Sequence, residues 1–234
     1  MYRERAAVGV AGAVVWEGIA AGAAPARVLP DGCLDLLWSS RAGLLVAGPD
    51  RTAQLSVSVP GERWVGLRLP PGVGPAVFGV PAHELRDRRV PLADLWGRAA
   101  TELAERIEEV RAEPVAALLE TVAVARLRAA GGPDPLGVRI AARLAAGATV
   151  AAAAAEVGLG ARALHRRSQL LFGYGPKTLA RILRMRRALD LARAGAPLAE
   201  AAALAGYADQ AHLTRDVKEL AGVSPTRLLP TNPA

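Results

Sequence analysis

Between residues 8 and 80, apolar residues come in short runs broken by turn residues: VVWEGI, RVLPDGCLDLLW, GLLVAGPD, QLSVSV and RWVGLRLPPG. Runs of this length, punctuated by Pro, Gly and Asp, predict the strands of a small antiparallel β domain, sandwich or barrel. The first strand is expected over Val8–Ile19, with Trp16 in a core. From about residue 83 the spacing becomes helical. Leu92–Trp96 reads as a helical turn. Leu103, Ile107 and Val110 share one face of a helix over 99–110. Val115, Leu118, Leu119 and Val122 share a face of the next, over 114–128, which Pro114 can open because its missing N–H has no partner there in any case. These two apolar stripes have two readings of equal weight, a homodimer contact or packing on their own β domain. GGPDP at 131–135 breaks the pattern and divides a domain over 1–130 from one over 136–234. Seven short helices are predicted beyond it, at about 136–146, 150–157, 161–171, 176–193, 198–205, 209–220 and 225–229. The fold class expected is therefore α+β, a β-rich domain with flanking helices followed by an all-α domain.

The helical part contains a repeat. TVAAAAAEVGLGARALHRRSQLLFGYGP (149–176) and PLAEAAALAGYADQAHLTRDVKELAGVSP (197–225) each give a small-residue helix, a Gly turn, a helix carrying Leu-x-Arg, and Gly-x-(Gly/Ser)-Pro. Gly158 matches Gly206 at a separation of 48, and Arg166 matches Arg215, Gly173 matches Gly222 and Pro176 matches Pro225 at 49. Ala153/Ala154 and Ala201/Ala202 allow close helix approach, and the Gly permits a sharp turn. That is a helix-turn-helix, whose second helix enters the major groove. In the second unit Asp209 is a good N-cap, and Leu213, Val217 and Leu220 face inward. Gln210, Ala211, Thr214, Arg215 and Lys218 are left outside, mostly types that contact bases or phosphates. The first unit shows Arg162, His165 and Arg166, with Gln169 beside them. The 18-residue helix between the units spans roughly 27 Å, which puts the recognition helices near one DNA turn apart, about 34 Å. Arg184, Arg186 and Arg187 on it are available to phosphates or to internal carboxylates.

Charge agrees with a polyanion partner. Residues 135–234 carry 14 Lys/Arg against 6 Asp/Glu, and residues 1–134 carry 15 against 16. The whole basic excess thus belongs to the helical domain and suggests a polyanion partner, either nucleic acid or an anionic membrane surface. The single cysteine, Cys33, excludes an internal disulfide and fits a reducing cytoplasm. Residues 1–26 imitate a signal peptide, but Glu4, Glu17 and a Gly-rich apolar run argue against one, so a cytoplasmic protein is expected. No apolar run suits a membrane span. His83, His165 and His212 lie far apart, so neither a metal nor a cofactor is expected. Cys33 lies between Asp31 and Asp35, a setting that disfavours the thiolate, and no catalytic role is expected. Trp16, Trp38 and Trp64 are candidates to line a small-molecule pocket, core packing being their other reading.

Residues 136–229 resemble the DNA-binding module of the AraC/XylS family of bacterial transcription regulators. The phrase that carries the resemblance is Gly206-Tyr207, Asp209-Gln210, Leu213, Arg215 and Gly222-Val223-Ser224-Pro225. The resemblance implies base contacts from Arg162, His165 and Arg166 in the first unit and from Gln210, Ala211, Thr214 and Arg215 in the second. Ala211 can offer only contact with a thymine methyl. It also implies double-stranded DNA and RNA polymerase as partners. The first unit departs from the pattern, with Ser168 where the family has a buried Phe, Leu159 for an aromatic, and Gly-Tyr-Gly-Pro at its end. The N-terminal phrases LPDGCLDLLW, VAGPD, GLRLPPG and RRVPLADLWG resemble a poorly characterised domain that precedes this module in such regulators. That implies a sensor or dimerisation role, a fold related to the cupin-like domains, and a small-molecule effector of unnamed chemistry. Two alternatives stay open: an anti-activator that has lost DNA binding, and an enzyme fused to the module.

Overall fold

The computed structural model describes residues 2–22, 25–109 and 115–229. Val110 and Pro114, expected to close one helix and open the next, lie outside them. Eight strands form in the N-terminal part: β1 (Tyr2–Ala6), β2 (Val14–Ile19), β3 (Ala26–Val28), β4 (Leu34–Ser39), β5 (Gly43–Ala47), β6 (Gln54–Ser56), β7 (Arg63–Leu69) and β8 (Arg89–Pro91). Six of them make one antiparallel sheet in the order β1-β2-β7-β4-β5-β8, and β3 pairs with β6 in a separate two-stranded ribbon. The run expected as one strand over Val8–Ile19 is instead the second half of a hairpin. Gly9 and Gly12 take positive φ, and the chain turns between β1 and β2. The cause is the glycine content of that run, which favours a turn over a continuous strand.

Alternation fixes the two faces of the sheet. Val15, Leu34, Leu36, Val46, Val65, Leu67 and Leu69 point one way and are buried. Each stabilises the fold by about 2 kcal/mol through removal from water. Against this face pack α1 (Gly74–Phe78), α2 (Ala82–Leu85), α3 (Ala93–Trp96), α4 (Arg98–Glu109) and α5 (Val115–Ala129). Leu103, Ile107, Val115 and Leu119 are in that core, so the stripes offered as a dimer contact are consumed by their own domain. Glu120 of α5, itself buried, accepts both guanidinium nitrogens of Arg5 and the N–H of Val8 at 2.6 Å, tying the first hairpin to the helical layer.

Helices fill the rest: α6 (Pro135–Ala145), α7 (Val150–Glu156), α8 (Ala161–Phe172), α9 (Pro176–Arg193), α10 (Leu198–Ala205), α11 (Gln210–Ala221) and α12 (Pro225–Leu228). Their starts are chemically marked. Asp134, Thr149 and Asp209 each accept a backbone N–H of the first turn with the side chain. Gly173, Gly206 and Gly222 end α8, α10 and α11 in the left-handed conformation. A second core forms around α9, whose Leu179, Ile182, Met185, Ala188 and Leu189 are fully buried. The overall class is α+β. Among the described residues no helix is long and apolar enough to cross a membrane.

Candidate nucleic-acid interface

In the second unit, Ala201 and Ala202 are fully buried and let α10 lie close on its neighbours. The chain turns at Gly206, φ +86°, and Tyr207 folds back into the core. Its hydroxyl donates to Asp216 Oδ2 at 2.7 Å. Burial, then Asp216 itself, push the Tyr207 hydroxyl above its ordinary range, so it remains a donor. Asp216 is buried on α11 and also takes Arg181 and, at 3.5 Å, Arg184. The Arg184 guanidinium lies 4.3 Å over the Tyr207 ring. This cluster, with Leu213, Val217 and Leu220, fixes the inner face of α11. Gln210, Ala211, Arg215 and Lys218 are left exposed, while Thr214 is half-buried with its hydroxyl on Gln210 O at 2.9 Å.

The first unit follows the same plan. Gly158 turns the chain at φ +66°, and Leu164, Leu171 and Phe172 of α8 point inward. Arg162, His165 and Arg166 are exposed, and Gln169 is half-buried. Arg167 turns back to Asp134, the residue that caps α6. Ser168 is fully buried, and its Oγ has no hydrogen-bond partner among the described residues. Of the three arginines of α9 offered to phosphates or carboxylates, Arg184 goes to Asp216 and Arg187 donates to Ala146 O at 3.3 Å. Arg186 faces a cleft between α9 and the N-terminal domain.

The opposite face of the sheet carries a different site. A cavity of about 860 Å³ lies over it, walled by Tyr2, Trp16, Leu37, Leu45, Leu55 and Trp64. Trp16 therefore leaves the core it was expected in. Its ring lies over Gly66, where a Cβ would come within 2.2 Å of the indole, and Tyr2 stacks on it at 6.1 Å. Trp16 Nε1 donates to Asp35 at 3.3 Å, and Trp64 Nε1 to Ser58 at 3.1 Å. Trp38 does not join them. It sits an odd number of residues from Asp35 and Leu37 on β4, so it points to the other face and packs on the core. At the polar end Arg68 lies 3.4 Å from both Asp31 and Asp35, and Arg89 pairs with Asp50 at 2.5 Å. Burial raises the Asp35 carboxyl to about 6 against the pull of Arg68. Burial, then Asp31 and Asp35, push the Cys33 thiol well up, which argues against its use as a nucleophile.

Asp216 and its partners were missed from the sequence. The signal was present: Asp216 stands at i+3 from Leu213, inside the apolar stripe, where a carboxylate must find partners.

Residues 153–230 match a family of helix-turn-helix domains, and residues 13–91 match a domain of unknown function (DUF6597). No curated protein matches the chain. Among solved structures, ToxT from Vibrio cholerae O395 is similar at 8% identity and a TM-score of 0.50, over 97% of this chain and 96% of that one. Unsaturated fatty acid bound wild-type ToxT from Vibrio cholerae strain SCE256 gives 10% identity and 0.49, over 97% and 94%. A probable AraC family transcriptional regulator from Rhodopseudomonas palustris CGA009 gives 23% and 0.36, over 42% of this chain and 100% of that one.

Proposed function

We infer from an AraC-type helix-turn-helix domain at the C-terminus, behind a domain of unknown function (DUF6597), that this chain is a DNA-binding transcription regulator. We propose further that α8 and α11 are both recognition helices and read successive major-groove segments of one duplex. The observation that carries this reading is the shared build of the two helices. Each buries an apolar face and leaves a polar face exposed, Arg162, His165 and Arg166 on one and Gln210, Ala211, Arg215 and Lys218 on the other, with Arg162 and Ala211, and Arg166 and Arg215, at matching positions. Arg166 and Arg215 are the side chains proposed to read base edges. Thr214 would contribute its methyl rather than its hydroxyl, which is engaged with Gln210 O. Lys218 and Arg162, nearer the helix ends, would take phosphates and set the register.

The cavity over the sheet is proposed as the effector site. Its support is aromatic walls with a few polar groups at one end, the usual character of a small-molecule pocket. Trp16 and Trp64 belong to it, and Trp38 does not.

The test compares Arg166→Ala and Arg215→Ala with the parent protein on a selected duplex and on scrambled DNA, by fluorescence anisotropy. Base reading predicts that each variant loses about 1–3 kcal/mol on the selected duplex and little on the scrambled one. Equal losses on both DNAs would make these residues phosphate contacts and overturn the proposed reading.

A further inference from the structure

Both candidate recognition helices end against the N-terminal domain, and each has an arginine of that domain at its C-terminal carbonyls. Arg86, just after α2, donates to Gly173 O at 3.0 Å, at the end of α8. Arg27, in β3, donates to Ala221 O at 2.8 Å, at the end of α11, where the Ala53 N–H also reaches Leu220 O at 2.7 Å. The last carbonyls of a helix lack partners within it and carry the negative end of its dipole, so an arginine is a fitting tether.

The two seats differ in construction. That of α8 is part of a packed corner. A Cβ on Gly173 would lie 2.6 Å from Pro49 Cγ and 3.2 Å from Ala82 O, and Phe172 reaches Gly72. The seat of α11 is the β3–β6 ribbon, with three residues in each strand and, among the described residues, no pairing to the main sheet. The same ribbon walls the cavity, to which it contributes Ala26, Val28, Gln54, Leu55 and Ser56. Val28, on the ribbon face opposite Arg27, remains 39% exposed, so that face has apolar surface to bury against whatever the cavity holds.

The charges at the cavity's polar end are already matched to each other, Arg68 with Asp31 and Asp35, and Arg89 with Asp50. Breaking those pairs to seat an ion would leave a mostly buried charge without its partner. The walls and the paired charges together favour an uncharged, aromatic-bodied ligand.

We propose that the ribbon couples the cavity to the second helix-turn-helix unit alone. An uncharged aromatic molecule under it packs on Val28 and holds the ribbon in place. The ribbon then holds Arg27 and the Ala53 N–H on the end of α11. The first unit, on its fixed corner, does not respond. Arg27 is thus a positioning residue for α11, and Arg86 is its counterpart for α8 outside the effector circuit. This rests on the readings of the cavity as an effector site and of α11 as a DNA-reading helix.

The test is hydrogen exchange of the full chain with and without 1-N-phenylnaphthylamine, an uncharged aromatic probe, in the parent, Arg27→Ala and Arg86→Ala proteins. The probe should bind saturably and slow amide exchange over residues 213–222 by at least about five-fold, the lower end of typical coupling, while residues 164–173 stay unchanged. Arg27→Ala should abolish that protection and weaken probe binding by the same factor, because coupling is reciprocal. Arg86→Ala should speed exchange over 164–173 and leave probe affinity within about two-fold, well under that coupling range. Equal protection of both segments, protection of neither, or an Arg27→Ala protein that binds the probe as the parent does, would overturn the coupling. A probe that fails to bind the parent would overturn the effector-site reading and the coupling with it. Coupling seen as described, alongside an Arg215→Ala protein that binds selected DNA normally, would instead remove the DNA-reading role of α11 and leave the ribbon device standing.

Discussion

Ser168 in α8 and Val217 in α11 stand at matching positions of the two helix-turn-helix units, and both are fully buried. Val217 fills its core. Ser168 leaves a hydroxyl with no partner in the middle of its own. The neighbouring pair differs too. Asp216 gathers Tyr207 from the turn of the second unit and Arg181 and Arg184 from α9, whereas Arg167 at the matching place in the first reaches Asp134. The second unit is therefore fastened within the helical domain, to α9. The first depends more on the N-terminal domain, where Phe172, Gly173 and Tyr174 lie against Gly72, Pro49 and Gly32. Two units on one plan need not draw their rigidity from one source. Of the first unit's departures, the Gly-Tyr-Gly ending falls where the N-terminal domain supplies contacts.

The comparison is broken most directly at Asp216. Asp216→Ala removes the partner of a buried hydroxyl and of two arginines, and should destabilise the helical domain by about 3 kcal/mol, read by urea denaturation. The loss should appear in exchange over α10 and α11 before α8. A uniform loss would show that the fastening is not local to the second unit.

Gly173→Ala comes next. It combines φ +83° with a Cβ placed against Pro49 and the Ala82 carbonyl, and should cost about 2–3 kcal/mol. Gly222→Ala, at φ +73°, meets the far end of the Arg27 side chain at 3.2 Å rather than backbone, and should cost about 1 kcal/mol. Similar values for the two would contradict the distinction between a fixed seat and a yielding one.

A smaller effect sharpens the comparison in the opposite direction. Ser168→Ala deletes the orphan hydroxyl without changing the shape much, and should be neutral or stabilising by up to about 1 kcal/mol, measured by thermal melting. A clear destabilisation would mean that Ser168 has a partner after all.

The helical domain was largely legible in the sequence because its signals are local. Gly173, Gly206 and Gly222 end helices, Asp209 starts one, and Leu213, Val217 and Leu220 keep a 3.6-residue period. The N-terminal domain was legible only as short strands. Its sheet order joins β2 to β7 and β4 to β7 across long separations, and nothing near Val8 announces a hairpin except two glycines. The face on which Trp38 falls depends on the register of β4, which pairing sets. The exposed candidates on α8 and α11 came from periodicity. The Asp216 cluster and the Arg27 and Arg86 tethers did not, because each joins residues far apart in the chain.

The most direct test of the central claim is selection of the full-length protein on random-sequence duplex DNA, repeated at several salt concentrations. If both units read DNA, two boxes about one helical turn apart will emerge, with affinity falling steeply as salt rises. A single box, or no enrichment at any salt, would contradict it.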